Sequence, residues 1–445
     1  MRFLPHTAGD VREMLAAIGA DSVEALFENV PAELRKTARI DLPDGLTEQE
    51  VCAALERLAG RNGGAAMPAF LGGGAYPHFV PAAVDQILRR AEFYSSYTPY
   101  QPEVSQGTLQ AVFEFQTMTA MLLGLEVANA SMYDGASATA EAVLMALRLQ
   151  PKRRRVVLAR SLHPEYRQVV ATYLEGAGAA ELVQAPFGAD GRIDAGWLSD
   201  NLRDDVAALV VGHPNFFGAI EDLQHLQGVA QKCGAVLVTA TAEALALAAI
   251  RAPGSYGVDI AVAEGQSLGV PLSYGGPGVG LFATRMKHVR NMPGRLIGEA
   301  FDEGGRRGYV LTLATREQHI RREKATSNIC TNQGLIALAV TVYLSLLGRK
   351  GLRQLALANL ERAHRTCERL CAGGRWKQRF AAPFFNEFVL QGSDAAEAVR
   401  RAAAAGVLAG VPLGRWYPEL EDCVALAVTE VHDEAAIDRL VEVFA

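Results

Sequence analysis

The strongest constraint on the fold is the alternation of strand-like and helix-like segments between about residues 108 and 284. The strands are short, continuous apolar runs, such as 206–211, and helices of ten or more residues separate them. Strands alternating with helices are joined by right-handed crossovers and pair in parallel. Runs without polar alternation indicate that helices cover both faces. The sequence therefore predicts a large, mostly parallel α/β domain in three layers.

The pattern differs on either side of this region. Residues 7–60 have helical spacing, and after about residue 334 a long apolar helix at 335–347 ends at Gly348. A smaller α/β pattern follows that helix. The sequence predicts three parts: an N-terminal helical arm and linker at 1–65, the large domain at 66–333 and a small C-terminal α/β domain at 334–445.

The predicted elements follow from the same periodicities. In the large domain the strands are 156–159, 181–184, 206–211, 235–238, 258–263 and 278–284, and the helices are 108–123, a segment after Ser137 to about 149, 164–174, 194–203 and 221–232. In the small domain the strands are 385–390 and 423–428, and the helices are 335–347, 352–371, 394–404 and one from Glu434.

Composition narrows the class of partner and the compartment. The formal charge is −6, which gives no reason to expect nucleic acid or an anionic membrane as a partner. No stretch reaches the ~18 uninterrupted apolar residues of a membrane span, and residues 1–6 lack the apolar core of a signal peptide. The six cysteines form no C-x-x-C pair and are expected to be reduced thiols rather than metal ligands. We expect a cytoplasmic protein without a metal.

Two turn segments carry groups that ligands use. Asp134-Gly135-Ala136-Ser137 places a glycine turn before a helix, and the free N–H groups of a helix start suit a phosphate. The same residues also suit a capped helix start with Glu141 in its first turn. His163 and the segment 213–218 each follow a strand end, where α/β sheets place ligands. A lone histidine there is more often a surface or capping residue, and a turn packed by Phe216 and Phe217 is at least as likely as a site.

Three further segments are polar or rich in glycine. The segment 94–107 combines three tyrosines with several amides and two prolines, which exclude a helix. It would line a wet pocket or pack under neighbouring helices. The segment 70–79 contains three consecutive glycines, which allow close backbone approach. The segment 321–333 mixes charges with small hydroxyls and is either an anion-binding or interface segment or a solvated helix end.

Taken together and in this order, the segments resemble subunit 1, the alpha subunit, of the two-subunit P-protein of the glycine cleavage system, glycine dehydrogenase (decarboxylating). The similarity runs nearly end to end. The residues that carry it are 5–7, 14–19, 70–78, 97–107, 133–140, 214–218, 265–277 and 321–333.

The resemblance implies a fold-type-I architecture, the fold of aminotransferases and other pyridoxal-phosphate enzymes. In that family subunit 2 bears the lysine and the pyridoxal phosphate. Glycine loses its carboxylate as CO2, and the aminomethyl group passes to the lipoyl group of the H-protein. The implied partners of this chain are therefore subunit 2, the lipoylated H-protein and glycine, in a heteromer.

The resemblance also implies that this chain does not anchor the cofactor. Gln266 lies where the partner has its lysine, and a glutamine amide cannot form a Schiff base. Ala240 lies where cofactor-bearing relatives place a carboxylate against the pyridine nitrogen. We expect no catalytic or cofactor-binding residue in this chain, and the helix start at Ser137 is expected to be a retained scaffold feature.

Sites in this fold lie at subunit interfaces, so both chains are expected to line one pocket. The residues expected to reach the partner's pocket are Tyr97, Tyr100, Gln101, Glu103 and Gln106, with Gly72, Gly73 and Gly74 allowing close backbone approach. Two alternatives stay open. The chain is a self-sufficient pyridoxal-phosphate enzyme that uses Lys287 or Lys324, or it is a purely structural partner.

Overall fold

The computed structural model describes residues 5–38, 41–178, 180–329 and 331–445, so Cys330 lies outside the described residues. The chain divides into two compact units, Met1–Ala65 and Ala66–Ala445. The helices of the first unit are α1 (Ala8–Ile18), α2 (Ala32–Thr37) and α3 (Glu48–Ala59). Thr7 and Thr47 begin α1 and α3 with capping boxes, because each hydroxyl accepts the N–H three residues further on.

The second unit contains the remaining elements. Its helices are α4 (Ala82–Leu88), α5 (Ala91–Tyr94), α6 (Gln106–Leu123), α7 (Gly135–Leu149), α8 (Pro164–Ala177), α9 (Ala195–Asn201), α10 (Leu223–Cys233), α11 (Gln318–Arg321), α12 (Gly334–Ala372), α13 (Ala395–Ala404) and α14 (Glu434–Phe444). Its strands are β1 (Val127–Ala128), β2 (Arg155–Ala159), β3 (Glu181–Ala185), β4 (Val206–Gly212), β5 (Val236–Thr241), β6 (Ile260–Glu264), β7 (Gly280–Thr284), β8 (Leu296–Phe301), β9 (Arg307–Thr312), β10 (Lys377–Gln378), β11 (Glu387–Gln391), β12 (Val411–Pro412) and β13 (Cys423–Ala427).

The large sheet has the strand order β1-β7-β6-β5-β4-β2-β3 in the described part of the chain. Strands β6, β5, β4, β2 and β3 are parallel, whereas β7 is antiparallel to both of its neighbours. Parallel strands end at the same edge of a sheet, so the segments after β2, β4, β5 and β6 meet there. This edge is where an open α/β sheet places a ligand site.

Successive residues of these strands point to opposite faces, and both faces are covered. Val157, Leu209 and Leu237 belong to one buried cluster with side chains of α6, α10 and α12. The alternate residues Val156 and Val238 belong to a second cluster with α7 and α8. The predicted three-layer α/β architecture is therefore confirmed.

The long helix α12 runs from one core to the other. Its first half packs with the large sheet, while Ala363, Cys367 and Leu370 pack with the sheet β10-β11-β13-β12. Gly348 interrupts the helix with a φ of 58°, as its place after the first apolar segment predicted. In the described residues α12 is the one helix long and apolar enough to cross a membrane, a test that core helices of soluble proteins also pass.

The sequence patterns missed the hairpin of β8 and β9, as well as the short elements α4, α5, α11, β1, β10 and β12. Strands β8 and β9 form an antiparallel pair of their own in which Leu296 lies opposite Thr312. This hairpin has no clean alternation of apolar and polar residues, and its turn contains Gly304 and Gly305 among charged residues. It packs against α6 and supplies part of the surface on which the segment 94–107 lies.

Candidate functional site

A small polar cavity lies at the carboxyl edge of the large sheet. It is lined by residues that follow β2, β4 and β5 and by residues at the start of β11, including His163, Asn215, Glu243, Asn386 and Glu387. The volume of the cavity is about 20 Å³, which holds about one water molecule.

Gln266 follows β6 at the same edge, and its amide is hydrogen-bonded at both ends. Its Nε2 donates to the carbonyl of Val270 at 2.7 Å, and its Oε1 accepts from the backbone N–H of Tyr76 at 3.3 Å. Its own backbone N–H donates to Glu264 Oε1 at 3.0 Å. The side chain is thus committed to the loop that follows it and to the glycine-rich segment 70–79.

The side chain of Glu264, the last residue of β6, lies at the first turn of helix α7. Its carboxylate accepts from the backbone N–H of Gly135 at 2.8 Å, of Val279 at 3.0 Å and of Gln266 at 3.0 Å. Burial raises the pKa of Glu264 to about 7, opposed by these three donors. The acceptor at this helix start is therefore a side chain of the chain itself.

The same helix start is capped, as one of the two sequence interpretations predicted. Asp134 accepts from the N–H of Ser137 at 2.7 Å, and the hydroxyl of Ser137 lies 3.2 Å from the N–H of Asp134. The expected position of Glu141 in the first turn was wrong. Glu141 lies in the second turn, is 3% exposed and accepts from the hydroxyl of Ser327 at 2.8 Å.

The glycine-rich segment 70–79 lies beside the cavity, and its Tyr76 lines it. The N–H of Gly73 donates to Glu387 Oε1 at 2.6 Å, and the carbonyl of Gly73 accepts from His163 Nε2 at 2.7 Å. Tyr76 donates its hydroxyl to Glu387 Oε2 at 2.9 Å. A Cβ at Gly72 would lie 2.5 Å from Glu387 Oε1, so close approach requires glycine there, as the sequence predicted.

A buried histidine joins this segment to both sheets. His78 lies between Glu243, which follows β5, and Glu430, which follows β13, at 3.0 Å from Nε2 and 2.8 Å from Nδ1. Burial alone would lower the pKa of His78, but the two carboxylates outweigh it and raise it to about 10. The pKa of Glu430 is correspondingly lowered to about 2, against the effect of burial. His78 is therefore an imidazolium at neutral pH.

His163 and Ala240 complete this edge of the sheet. His163 caps α8, since its Nδ1 accepts from the N–H of Glu165 at 3.2 Å, and it is 8% exposed. The capping interpretation of His163 is confirmed, although the ring also lines the cavity. Ala240 is a buried residue of β5 and lines the same cavity with an apolar methyl group.

The segment 94–107 lies on the surface and does not join the residues of the cavity. Tyr97 is 81% exposed and Tyr100 is 51% exposed, and Gln101 and Glu103 are exposed as well. Gln106 uses its side-chain amide to bond both backbone groups of Tyr309, at 2.9 Å each.

A buried arginine anchors this segment. Arg295 is 5% exposed and donates to Thr98 Oγ1 at 3.1 Å, to the hydroxyl of Tyr100 at 2.9 Å and to Glu317 Oε2 at 3.2 Å. Its guanidinium also lies over the ring of Tyr100, a favourable cation–π arrangement. Tyr97 projects from a segment that is fixed beneath it.

The family model described as glycine cleavage system P-protein matches residues 1–444. The chain belongs to this family. A relative named probable glycine dehydrogenase (decarboxylating) subunit 1, from Anaeromyxobacter dehalogenans (strain 2CP-C), is 51% identical over 448 residues, 100% of this chain and 99% of the relative. A relative of the same name from Carboxydothermus hydrogenoformans is 47% identical, over 100% and 99% of the two chains.

The fold of this P-protein chain is similar to those of solved structures. It is similar to a crystal structure of glycine decarboxylase (P-protein) of the glycine cleavage system in inhibitor-bound form, with 45% identity, a TM-score of 0.92 and 100% of both chains covered. A sphingosine-1-phosphate lyase from Burkholderia pseudomallei is 17% identical with a TM-score of 0.67, covering 93% of this chain and 94% of the lyase chain. The expected pyridoxal-phosphate transferase fold is confirmed by these neighbours.

Sequence reasoning missed the acidic and basic residues that organise this P-protein chain. Glu264, Glu387, His78 and Arg295 are buried polar residues whose partners lie far away in the sequence. The one local signal was the position of Glu264 at a strand end, two residues before Gln266. In the segment 321–333, α11 ends at Arg321 and residues 321–324 are exposed, as the interpretation as a solvated helix end predicted, whereas Asn332 donates to the carbonyl of Ala130 at 2.8 Å.

Proposed function

We propose that this chain is subunit 1 of glycine dehydrogenase (decarboxylating), the P-protein of the glycine cleavage system, and that it is active only in a heteromer with subunit 2. The pair releases CO2 from glycine and transfers the aminomethyl group to the lipoyl group of the H-protein. Family membership over the full chain supports this role. The observation that assigns the cofactor to subunit 2 is that Gln266 has an amide where a Schiff base would need an amine.

The cofactor belongs to subunit 2 in this proposal, because the residues of this chain do not fit pyridoxal phosphate. Gln266 offers no amine for a covalent bond, and Ala240 offers no carboxylate to a pyridine nitrogen. At the start of α7 the carboxylate of Glu264 already accepts the N–H of Gly135, which would otherwise face a phosphate.

A self-sufficient enzyme would need a different lysine, and the two candidates lie in the wrong surroundings. Lys287 and Lys324 are both exposed, whereas an amine that forms a Schiff base at neutral pH needs a desolvated pocket or a neighbouring cation. No described group of three or more histidine, cysteine or acidic residues could hold a metal. The exposure of both lysines favours the proposed heteromer over a self-sufficient enzyme.

The contribution of this chain to the shared pocket comes from the segment 94–107 in this proposal. Its exposed residues are Tyr97, Tyr100, Gln101 and Glu103, and Gln106 fixes its end to β9. Large aromatic side chains on a fixed backbone suit insertion into a partner at low entropic cost. Gly72, Gly73 and Gly74 belong to the proposed surface less directly, since Gly73 is bonded to Glu387 and His163 of this chain.

The proposal includes a cytoplasmic location without nucleic acid or membrane partners. The net charge of −6 offers no general attraction to phosphate backbones or anionic lipids. Part of the apolar surface of α12 is accounted for by its packing against α4 and α6.

The decisive experiment is reconstitution with purified subunit 2. Exchange of bicarbonate into the glycine carboxyl group is measured for each chain alone and for the mixture, with pyridoxal phosphate in excess. We expect exchange only in the mixture. Purified subunit 2 should show a visible cofactor absorbance that borohydride abolishes, and this chain purified alone should show no such absorbance. A yellow, active preparation of this chain alone would refute the proposal.

The role of the segment 94–107 is tested by Tyr97→Ala in the reconstituted complex. We expect the exchange rate to fall by about tenfold, with the unfolding midpoint of the isolated chain unchanged because Tyr97 is 81% exposed. Met121→Ala, at a 74% exposed position of α6, is the matched control. Normal exchange by an assembled Tyr97→Ala complex would favour a purely structural role for this segment.

A further inference from the structure

The loop that follows Gln266 has an unusual backbone. In this 271–278 loop, four consecutive residues have positive φ angles: 42° at Ser273, 59° at Tyr274, 114° at Gly275 and 150° at Gly276. Two of them are not glycine, and L-residues with side chains avoid this region. Strained backbone of this kind persists where surrounding contacts fix it, and it concentrates at binding and switching sites.

The strained loop exposes an aromatic side chain to solvent. Tyr274 is 83% exposed, and a Cβ placed at the neighbouring Gly275 would meet no atom within 4 Å. Packing around the tip of the loop therefore does not explain its conformation. The contacts that hold it are at its base.

Gln266 and Glu264 hold the two ends of this loop. Gln266 Nε2 donates to the carbonyl of Val270, one residue before the loop, at 2.7 Å. Glu264 Oε1 accepts from the N–H of Val279, one residue after the loop, at 3.0 Å, and from the N–H of Gln266 at 3.0 Å. Both ends are thus bonded to side chains only two residues apart in the sequence.

The amide at position 266 suits this arrangement because it donates and accepts at once. While Nε2 bonds to Val270, Oε1 accepts from the N–H of Tyr76 at 3.3 Å. A lysine ammonium has three donors and no acceptor, so it would leave the N–H of Tyr76 without this partner. The residue that prevents cofactor attachment also supports the loop.

The composition of the loop is that of a protein contact. Residues 271–278 contain no Asp, Glu, Lys, Arg or His, although Pro271, Ser273, Tyr274 and Pro277 are exposed. Exposed segments are normally rich in charge, whereas the centres of protein interfaces are depleted in charge and enriched in tyrosine. A second protein chain is the occupant that this surface fits.

We propose that the 271–278 loop is a contact surface for subunit 2 and that Gln266 is its positioning residue. This inference rests on the proposed function, which supplies a heteromeric partner. Subunit 2 is the occupant because the relatives of this chain are named subunit 1, a name that implies a different partner chain.

The test measures the Kd of this chain for purified holo subunit 2, by titration of a fluorescently labelled partner. Variants are Tyr274→Ala, Gln266→Met and the double variant, with Met121→Ala as the control. We expect Tyr274→Ala to raise the Kd by about tenfold or more, and Gln266→Met to raise it by about threefold to tenfold. The double variant should match Tyr274→Ala alone, because Gln266 acts through the loop.

Each other outcome overturns part of the inference. An unchanged Kd for Tyr274→Ala rejects the surface, and multiplicative effects in the double variant reject the positioning role of Gln266. Loss of self-association of this chain, with the Kd for subunit 2 unchanged, assigns the surface to a second copy and rejects the occupant. Glycine exchange by this chain alone would instead refute the proposed function, whatever the Kd values are.

Discussion

The polar cavity beside Gln266 and the segment 94–107 differ in how their polar groups are used. In and beside the cavity, carboxylates, histidines and backbone groups bond to one another, and Glu264 and Glu387 each accept at least two hydrogen bonds from within the chain. In the segment 94–107, Arg295 fixes the backbone from beneath while Tyr97 faces outward. The polar groups around the cavity thus bond within the chain, whereas the segment 94–107 presents side chains to solvent. We call the first the closed region and the second the open segment.

If the cofactor belongs to subunit 2, as proposed, the difference accounts for a fold that is kept without a ligand site in this chain. A helix start attracts an anion, and at α7 a buried carboxylate supplies one from within the chain. Buried donors cost free energy only if they are left unbonded. Because side chains satisfy these donors, the inner region is stable without a ligand, and recognition is left to exposed loops.

The largest expected effect comes from opening the closed region at His78. His78→Leu leaves the buried carboxylate of Glu243 and the partly buried carboxylate of Glu430 without their shared cation. We therefore expect a loss of about 3–5 kcal/mol in the free energy of unfolding, measured by urea denaturation at pH 7. The His78 pKa of about 10 lies above its unfolded value of 6.5. This contribution is therefore complete below pH 6.5, and the gap to wild type should narrow as the pH rises through 10.

The neighbouring Phe79 provides the control for this prediction. It is 67% exposed, so Phe79→Ala should change the free energy of unfolding by no more than about 0.5 kcal/mol. Equal stabilities of His78→Leu and wild type would show that the two carboxylates do not depend on the imidazolium.

A smaller and pH-dependent effect is expected at Glu387. Burial raises its pKa to about 7, from 4.5 in the unfolded chain. Its contribution to stability is therefore complete below pH 4.5 and is lost as the pH rises through 7. Glu387→Gln stays neutral, so its stability relative to wild type should improve by up to about 3 kcal/mol between pH 5 and pH 8.

Urea denaturation at the two pH values checks the prediction for Glu387. Groups far from Glu387 contribute equally in both proteins and cancel in the difference. Glu397→Gln, at an exposed position of α13, should show a difference below about 0.5 kcal/mol at either pH. A pH-independent difference for Glu387→Gln would mean that the carboxyl group does not titrate in this range.

The fold of this chain is largely readable from its sequence because it depends on local patterns. Continuous apolar runs predicted β4 and β6, and Gly348 predicted the break in α12. The hairpin of β8 and β9 was missed because its residues do not alternate cleanly. Its stability depends on packing against α6, which is 173 residues before β8 begins when Leu123 is compared with Leu296.

The candidate site was less predictable because it is assembled from distant residues. The missing lysine at 266 could be recognised by resemblance, but the partners of Gln266 could not, since Tyr76 lies 190 residues away. Glu387 and Gly73 are separated by 314 residues. No periodicity reports such contacts, and a buried glutamate has no distinguishing pattern in a single sequence.

The smallest expected effect separates two tyrosines of the open segment. Tyr100→Phe removes the hydroxyl that accepts from the buried Arg295, so we expect a loss of about 1 kcal/mol in the free energy of unfolding, measured by urea denaturation at pH 7. Tyr97→Phe removes a hydroxyl from a side chain that is 81% exposed and should cost less than about 0.3 kcal/mol. If both variants lost the same amount, Arg295 would not anchor the segment through Tyr100, and the fixed backbone beneath Tyr97 would need another cause.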